Sequence, residues 1–166
     1  MSTYFCEYSE LVAVWPHPVL LKHEQGDVFL MYTFKEAYIE AKWFGHITAD
    51  DVITACKVYL ELMKKHPNPK LLNDKTVVSG DWVEANDWLE YEWLPQAIAA
   101  GLSCFAHVYS HNMFSKLSAR DLYLRIIPNL QMENFLNRRD AEKWLKSCDL
   151  HKATHTSPDN LPGLTS

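Results

Sequence analysis

Between positions 17 and 45 the apolar and polar residues alternate with a period of two. Val28, Leu30 and Tyr32 fall opposite Phe29, Met31 and Thr33, and Tyr38, Glu40, Lys42 and Phe44 fall opposite Ile39, Ala41 and Trp43. That period places successive side chains on opposite faces of a strand. The interruptions Gln25-Gly26-Asp27 and Lys35-Glu36 are short, so they predict hairpins and antiparallel pairing. Ahead of the two prolines Pro16 and Pro18, the run from Cys6 to Val14 reads as a less regular N-terminal strand.

The period then changes. Val52, Ala55, Val58, Tyr59 and Leu62 recur at three and four, behind a Thr48 hydroxyl cap and ahead of Lys64, Lys65 and His66. This predicts a helix with cations at its negative end. Lys70 to Asp74 is a short strand, and Asp81 with Glu84 three residues on resembles a capping box that opens a second helix. Pro95 should kink or end that helix, and Gly101 should stop it.

Leu102 to Tyr109 is a nearly continuous apolar run, as expected of a central strand covered on both faces. Ser118-Ala119-Arg120-Asp121 and Asn137-Arg138-Arg139-Asp140 repeat a cap-then-acid signature around a strand near Leu130 to Leu136, and the last helix carries Ala141, Trp144 and Leu145. Beyond Cys148 no period remains, so 149–166 is expected to be a disordered tail. Strands first, then alternating helix and strand, predict crossover connections. The expected architecture is one α/β domain over 1–148, with a mixed sheet of four to six strands and about four helices.

Composition narrows the class. The 166 residues are 48% hydrophobic and 22% charged, as in an ordinary single globular domain. Twenty-one acids against 16 bases give a net charge of −5, which disfavours capture of phosphate backbones and argues against a nucleic-acid partner. The opening MSTYFCEYSE has no basic residue ahead of an apolar core and so is not built like a secretory signal. Cys6, Cys56, Cys104 and Cys148 lie far apart with no C-x-x-C pair. They suit neither a zinc site nor a dense disulfide framework and read as reduced thiols of a cytoplasmic protein. The charge-free span from Trp93 to Ser115 has the length of a membrane helix, but Pro95, Gln96, Gly101, His107, His111 and Asn112 argue against a membrane span.

The element order, with LLND (71–74) closing a mid-chain strand and GLSCFAHVY (101–109) as the next, resembles a STAS domain. More narrowly, YIEAKWFGHIT (38–48), then LLND, then an acidic Trp-bearing helix, then AIAAGLSCFAHV (97–108) resembles the small stand-alone STAS-like proteins, SpoIIAA-like relatives of anti-anti-sigma factors that are sometimes compared with lipid-binding Sec14 domains. The resemblance spans residues 17 to 147. It implies a regulatory module whose loop after the mid-chain strand carries a phosphorylated serine that breaks partner binding. Ser79 in VVSGD is the nearest counterpart, without the preceding Asp and after a shorter loop; Asp74 matches the strand-end acid.

Three stretches carry candidate chemistry. Asn73-Asp74-Lys75 stands at the carboxyl end of a strand, where open α/β sheets place ligand sites, although such an aspartate also serves as a loop cap. Ser79-Gly80-Asp81 precedes a helix and could offer an anion site or only a turn and cap, with Asp81 already at the positive end. The segment DWVEANDWLEYEW (81–93) combines five acids and no base with Trp82, Trp88, Tyr91 and Trp93. At about 100° per residue, Trp82, Ala85, Leu89 and Trp93 form one stripe and Val83, Tyr91, Leu94 and Ile98 another. The aromatics are then either core or an acid-rimmed patch for a partner.

Other chemistry finds little footing. His107 and His111 are four apart, but in a strand and past its end with no third ligand, so no metal is expected. His46 has no nucleophile elbow near it, and the five glycines are isolated, leaving no phosphate loop and no expected cofactor. The residues point to a non-catalytic protein-binding module with Asp74, Ser79, Asp81, Trp82, Trp88 and Trp93 as partner contacts and Ser79 as a possible phosphosite. Homodimer formation through an exposed N-terminal sheet edge is a further expectation. The alternative class is a small-ligand or lipid carrier with an apolar pocket between the aromatic helix and the sheet. A hydrolase or isomerase built on His46, His107 or Asp74 ranks last and needs a pocket that joins two of them.

Overall fold

A computed structural model describes residues 8–150 of the chain. Its elements in order are α1 (Ser9–Ala13), β1 (Val19–Lys22), β2 (Val28–Lys35), β3 (Tyr38–Trp43), β4 (Gly45–His46), α2 (Ala49–Lys65), β5 (Lys70–Asp74), β6 (Val78–Ser79), α3 (83–99), β7 (Cys104–Val108), α4 (Met113–Ile126), β8 (Gln131–Phe135) and α5 (Arg138–Ser147). Six strands form one sheet in the order β1-β2-β3-β5-β7-β8. The two hairpin pairs are antiparallel and the pairs from β3 onward are parallel. This is the mixed α/β architecture expected from the alternation of periods.

Each crossover buries one helical stripe. Thr48 and Asp51 form a capping box at the start of α2, Thr48 Oγ1 accepting from Asp51 N at 3.3 Å and Asp51 Oδ2 accepting from Thr48 N at 3.0 Å. Val52, Ala55, Val58, Tyr59 and Leu62 are all buried, so the three-and-four spacing faces the sheet. There α2, α3 and α4 cover Ile39, Ala41, Trp43, Leu71, Phe105 and Met132. The opposite face carries Tyr38, Leu72, Cys104, Ala106 and Val108 beneath Ala141 and Leu145 of α5. β7 is buried along its whole length, as its apolar run predicts, although it lies next to the last strand and not in the middle of the sheet.

Several expectations need correction. The described part of the segment around Cys6 to Val14 holds a short helix, α1, and no strand; residues 1–7 lie outside the described ones. Ser118 does not cap a helix. Asn112 caps α4 by accepting from Ser115 N, and Ser118 sits mid-helix facing inward, its Oγ accepting from Trp82 N at 3.2 Å. Glu84 closes no capping box, because α3 opens with a 3₁₀ turn (Val83–Ala85) under an Asp81 side chain that accepts from Val83 N. Cys104 and Cys148 form a disulfide, with Cα atoms 6.5 Å apart, because β7 and the end of α5 meet on one sheet face. Their wide separation in sequence hid that meeting, and the pair removes the reading of all four cysteines as reduced thiols. Cys56 is free. From residue 151 the expected tail lies outside the described residues.

An ion cluster closes the α5 face. Arg138, in the first turn of α5, donates to both Glu40 oxygens at 2.9 and 2.7 Å and reaches Asp74 Oδ2 at 3.4 Å, while Lys35 Nζ lies 2.8 Å from Glu40. Burial alone would raise the Glu40 carboxyl. Hydrogen bonds and charges from Arg138 and Lys35 outweigh it and hold the group at about 2. Because the folded value lies below the unfolded one, this stabilisation is complete above pH ~4.3 and is lost as pH falls toward 2. Glu40→Gln should therefore destabilise the protein by about 3 kcal/mol at pH 7, and the gap between variant and wild type should narrow below pH 4, as read from urea unfolding at both pH values.

Candidate functional site

The pleat of β5 decides what its carboxyl end presents. Asn73 points to the helix-covered face and Asp74 to the α5 face, and the strand continues one step as Lys75 N donates to Val108 O at 3.2 Å. Alternation then turns Lys75 to the same side as Asn73. Its side chain is only 1% exposed. Nζ lies 3.4 Å from the centroid of the Trp82 ring and 4.6 Å from that of Trp43, so the two indoles clasp the ammonium through cation–π contacts. Among the described residues no carboxylate stands within ion-pair distance of it.

Beside the amine is a small cavity of about 20 Å³, lined by Lys75, Asn73, Cys56, Tyr32, Tyr59, Trp93 and apolar neighbours. Trp43 Nε1 donates to Asn73 Oδ1 at 2.5 Å, and Asn73 Nδ2 donates to His107 Nδ1 at 3.1 Å. Burial first, and the Lys75 charge second, lower the His107 pKa far enough to keep the ring neutral. Desolvation lowers the Lys75 amine to about 7 and pushes the Cys56 thiol up to about 12. Tyr59 and Tyr32 are raised for the same reason. The site thus holds one group, Lys75, that changes charge near neutrality, among groups that do not.

The residues marked by the sequence do not assemble into one surface. Trp82 is fully buried, its Nε1 donating to Ser115 Oγ at 2.9 Å, and Trp93 is buried against Tyr59 and Phe105. Neither is presented to a partner, because the stripe Trp82, Ala85, Leu89, Trp93 is the face of α3 that enters the core. Trp88 is half-buried, packed on the core with Lys57 Nζ 5.7 Å from its ring centroid. Asp74 is buried on the other side of the sheet, capping its own loop through Thr76 N at 3.0 Å and meeting Arg138. Asp81 stays exposed.

Ser79 remains half-buried, its Oγ 3.2 Å from His46 Nδ1, where β4 and β6 pair in parallel. Gly80 makes that pairing possible. Its φ is 115°, and a Cβ there would sit 2.2 Å from the Ile47 carbonyl oxygen. The pocket expected between the aromatic helix and the sheet is in the expected place, but its volume is that of about one water, far below the several hundred Å³ of a lipid or drug-sized site. Among the described residues no group of three or more His, Cys, Asp or Glu could hold a metal, and no helix is long and apolar enough to cross a membrane.

Lys75 is the residue whose importance the sequence left unmarked, as one member of a charged triplet. The available signal was the period of two carried one position past Asp74. Cys56 and Tyr59, three apart on the apolar stripe of α2, gave the matching signal from the other side of the cavity.

No protein-family model matches the chain, and no curated protein does. Among solved structures, the chain is similar to an uncharacterized protein from the DUF3478 family with a SpoIIAA-like fold from Shewanella loihica PV-4. The identity is 18%, over 70% of this chain and 91% of that one, with a TM-score of 0.46.

Because the folded pKa of Lys75 lies below the unfolded value near 10.4, the unfolded chain binds the extra proton between pH ~7 and ~10. Its destabilising effect is complete below pH 7 and is relieved as pH rises, by up to about 1.4 kcal/mol per pH unit. Cys56, Tyr59, Tyr32 and His107, which share this interior, keep their neutral forms across that window. Lys75→Met should therefore unfold at higher urea than wild type at pH 7, with a smaller advantage at pH 9.5.

Proposed function

We propose that this chain is a non-catalytic, STAS-like regulatory module that binds a protein partner through the outer surface of the 76–91 segment and the adjoining face of α4. The observation that supports it is an apolar surface with an acidic rim. Val77, Val83 and Tyr91 are exposed, Tyr91 by 69%, beside the exposed acids Asp81, Glu84 and Asp87. Alongside, α4 turns Ser115, Ser118 and Ala119 inward and leaves Met113, Phe114, Leu117 and Leu124 outside. The same helix buries Leu122 and Ile126, so these four are large apolar residues in excess of what the core takes up, and exposed apolar patches of this kind mark interaction sites. Arg125 ties the two helices together through Asp87, Glu90 and Asp121.

The partner this surface fits is a protein with apolar anchors and a basic rim. His46 and Ser79 meet through Nδ1 at the surface, with no carboxylate bonded to the imidazole among the described residues, an arrangement unlike that of an activated serine. Ser79 borders the surface. A phosphate there would add negative charge beside Asp81 and strengthen the attraction of a basic rim.

The test is affinity for the partner that a photo-crosslinking residue at position 91 captures in the native cell. Tyr91→Ala with Phe114→Ala should lower that affinity at least ~10-fold while moving Tm by no more than ~2 °C, and the wild-type affinity should fall as salt rises. An affinity unchanged by the double substitution would overturn this surface. A captured second copy of the chain would make the interface a homodimer.

A further inference from the structure

We propose that the outer face of α4 is a two-fold interface, at which a second copy of this chain docks with its own α4 antiparallel. The inference rests on the reading of this surface as a protein-binding face and names the partner. At about 100° per residue, Met113, Leu117, Arg120, Leu124 and Ile127 lie within about 40° of one line along the helix, opposite the buried Leu122 and Ile126. Four of these five are large apolar residues in water, Met113 by 71% and Leu124 by 63%. Their spacing, four and three in turn, is that with which one helix meets another.

The order of residues makes this face complementary to itself. Outward from the midpoint between Arg120 and Asp121, a leucine stands three residues beyond each charge, Leu117 on one side and Leu124 on the other. Three residues further stand Phe114 and Ile127, both exposed. In a two-fold contact residue i meets j and j meets i. Reversing α4 about this midpoint therefore sets Leu117 against Leu124 of the second copy and Arg120 beside Asp121 of the second copy, each contact made twice. Both charges are open to it. Among the described residues Arg120 is exposed with no ion-pair partner, and Asp121 is held by Asn86 and Arg125 through Oδ2 alone.

The area agrees with a stable contact. At about 200 Å² for a large side chain fully in water, Met113, Phe114, Leu117, Leu124 and Ile127 leave on the order of 600 Å² open. With the charged pair between them, the face approaches the ~800 Å² per partner of a standard interface. The N-terminal sheet edge offers less. Its strand β1 is four residues long, its register breaks between Leu21 and Lys22, and a lysine ends it, all features that discourage edge pairing.

The test is the mass of the full chain in solution. Sedimentation equilibrium should give a dimer that dissociates on dilution. Arg120→Glu should raise the dimer Kd at least ~10-fold at low salt, and Leu117→Asp with Leu124→Asp should leave a monomer with the far-ultraviolet circular dichroism of wild type. In a mixture of ¹⁴N and ¹⁵N protein, a photo-crosslinking residue at position 117 should give mixed-isotope adducts on the peptide that holds Leu124. A chain monomeric up to ~1 mM, or a dimer whose adducts map elsewhere, would overturn the proposal. If such a monomer still binds another protein and loses it on Tyr91→Ala with Phe114→Ala, the protein-binding surface stands and only the second copy is wrong.

Discussion

Because β7 and most of β5 are flanked by strands on both sides and covered by helices on both faces, their polar side chains must find partners inside the protein. Asn73 does so with Trp43 and with His107 Nδ1 on one face, where His107 Nε2 stays without a hydrogen-bond partner among the described residues. On the other, Asp74 joins the cluster of Glu40, Arg138 and Lys35 that fastens α5 to the sheet. The same two-sided burial carries Cys104 to Cys148 and draws Lys75 beneath α3. A single strand's pleat thus sorts three consecutive residues, Asn73, Asp74 and Lys75, into two environments with different chemistry.

Those environments differ in how their charges are matched. Arg138 and Glu40 meet in a bidentate pair, the arrangement in which a buried carboxylate best recovers what desolvation costs it. Among the described residues Lys75 meets indole faces and no carboxylate, so its charge is compensated only in part. A buried cation of this kind opposes folding, and groups so placed occur more often at working sites than in purely structural cores. The small volume around it separates this interior from that of a lipid carrier.

The outer surface follows a different logic. α3 must bury Trp82, Leu89 and Trp93 to cover the sheet, so its acids and Tyr91 turn to solvent, and α4 approaches so closely that only serines and an alanine fit between the helices. Leu122 and Ile126 of α4 still enter the core, and Met113, Phe114, Leu117 and Leu124 are left outside. A sequence read for hydrophobic stripes assigns such residues to the core, because the stripe alone does not say which side of a helix a neighbour occupies.

Local order was legible because it depends on neighbours in the chain. The period of two in 19–43, the Thr48 cap, the strand at 70–74, the grouping of Trp82, Ala85, Leu89 and Trp93 on one stripe and the covered run at β7 were all written in spacing, and together they specified a mixed α/β sheet. The inward turn of Ser118, the Cys104–Cys148 bond, the partition of the tryptophans between core and surface, and the enclosure of Lys75 with Tyr59, Trp93 and Cys56 were not. Each depends on which residues from distant segments arrive at the same place. The sequence by itself determined the elements and their order, since hydrogen bonding and side-chain period are local. The site was decided by tertiary structure alone, because burial, and with it the charge state of Lys75, belongs to the packed molecule.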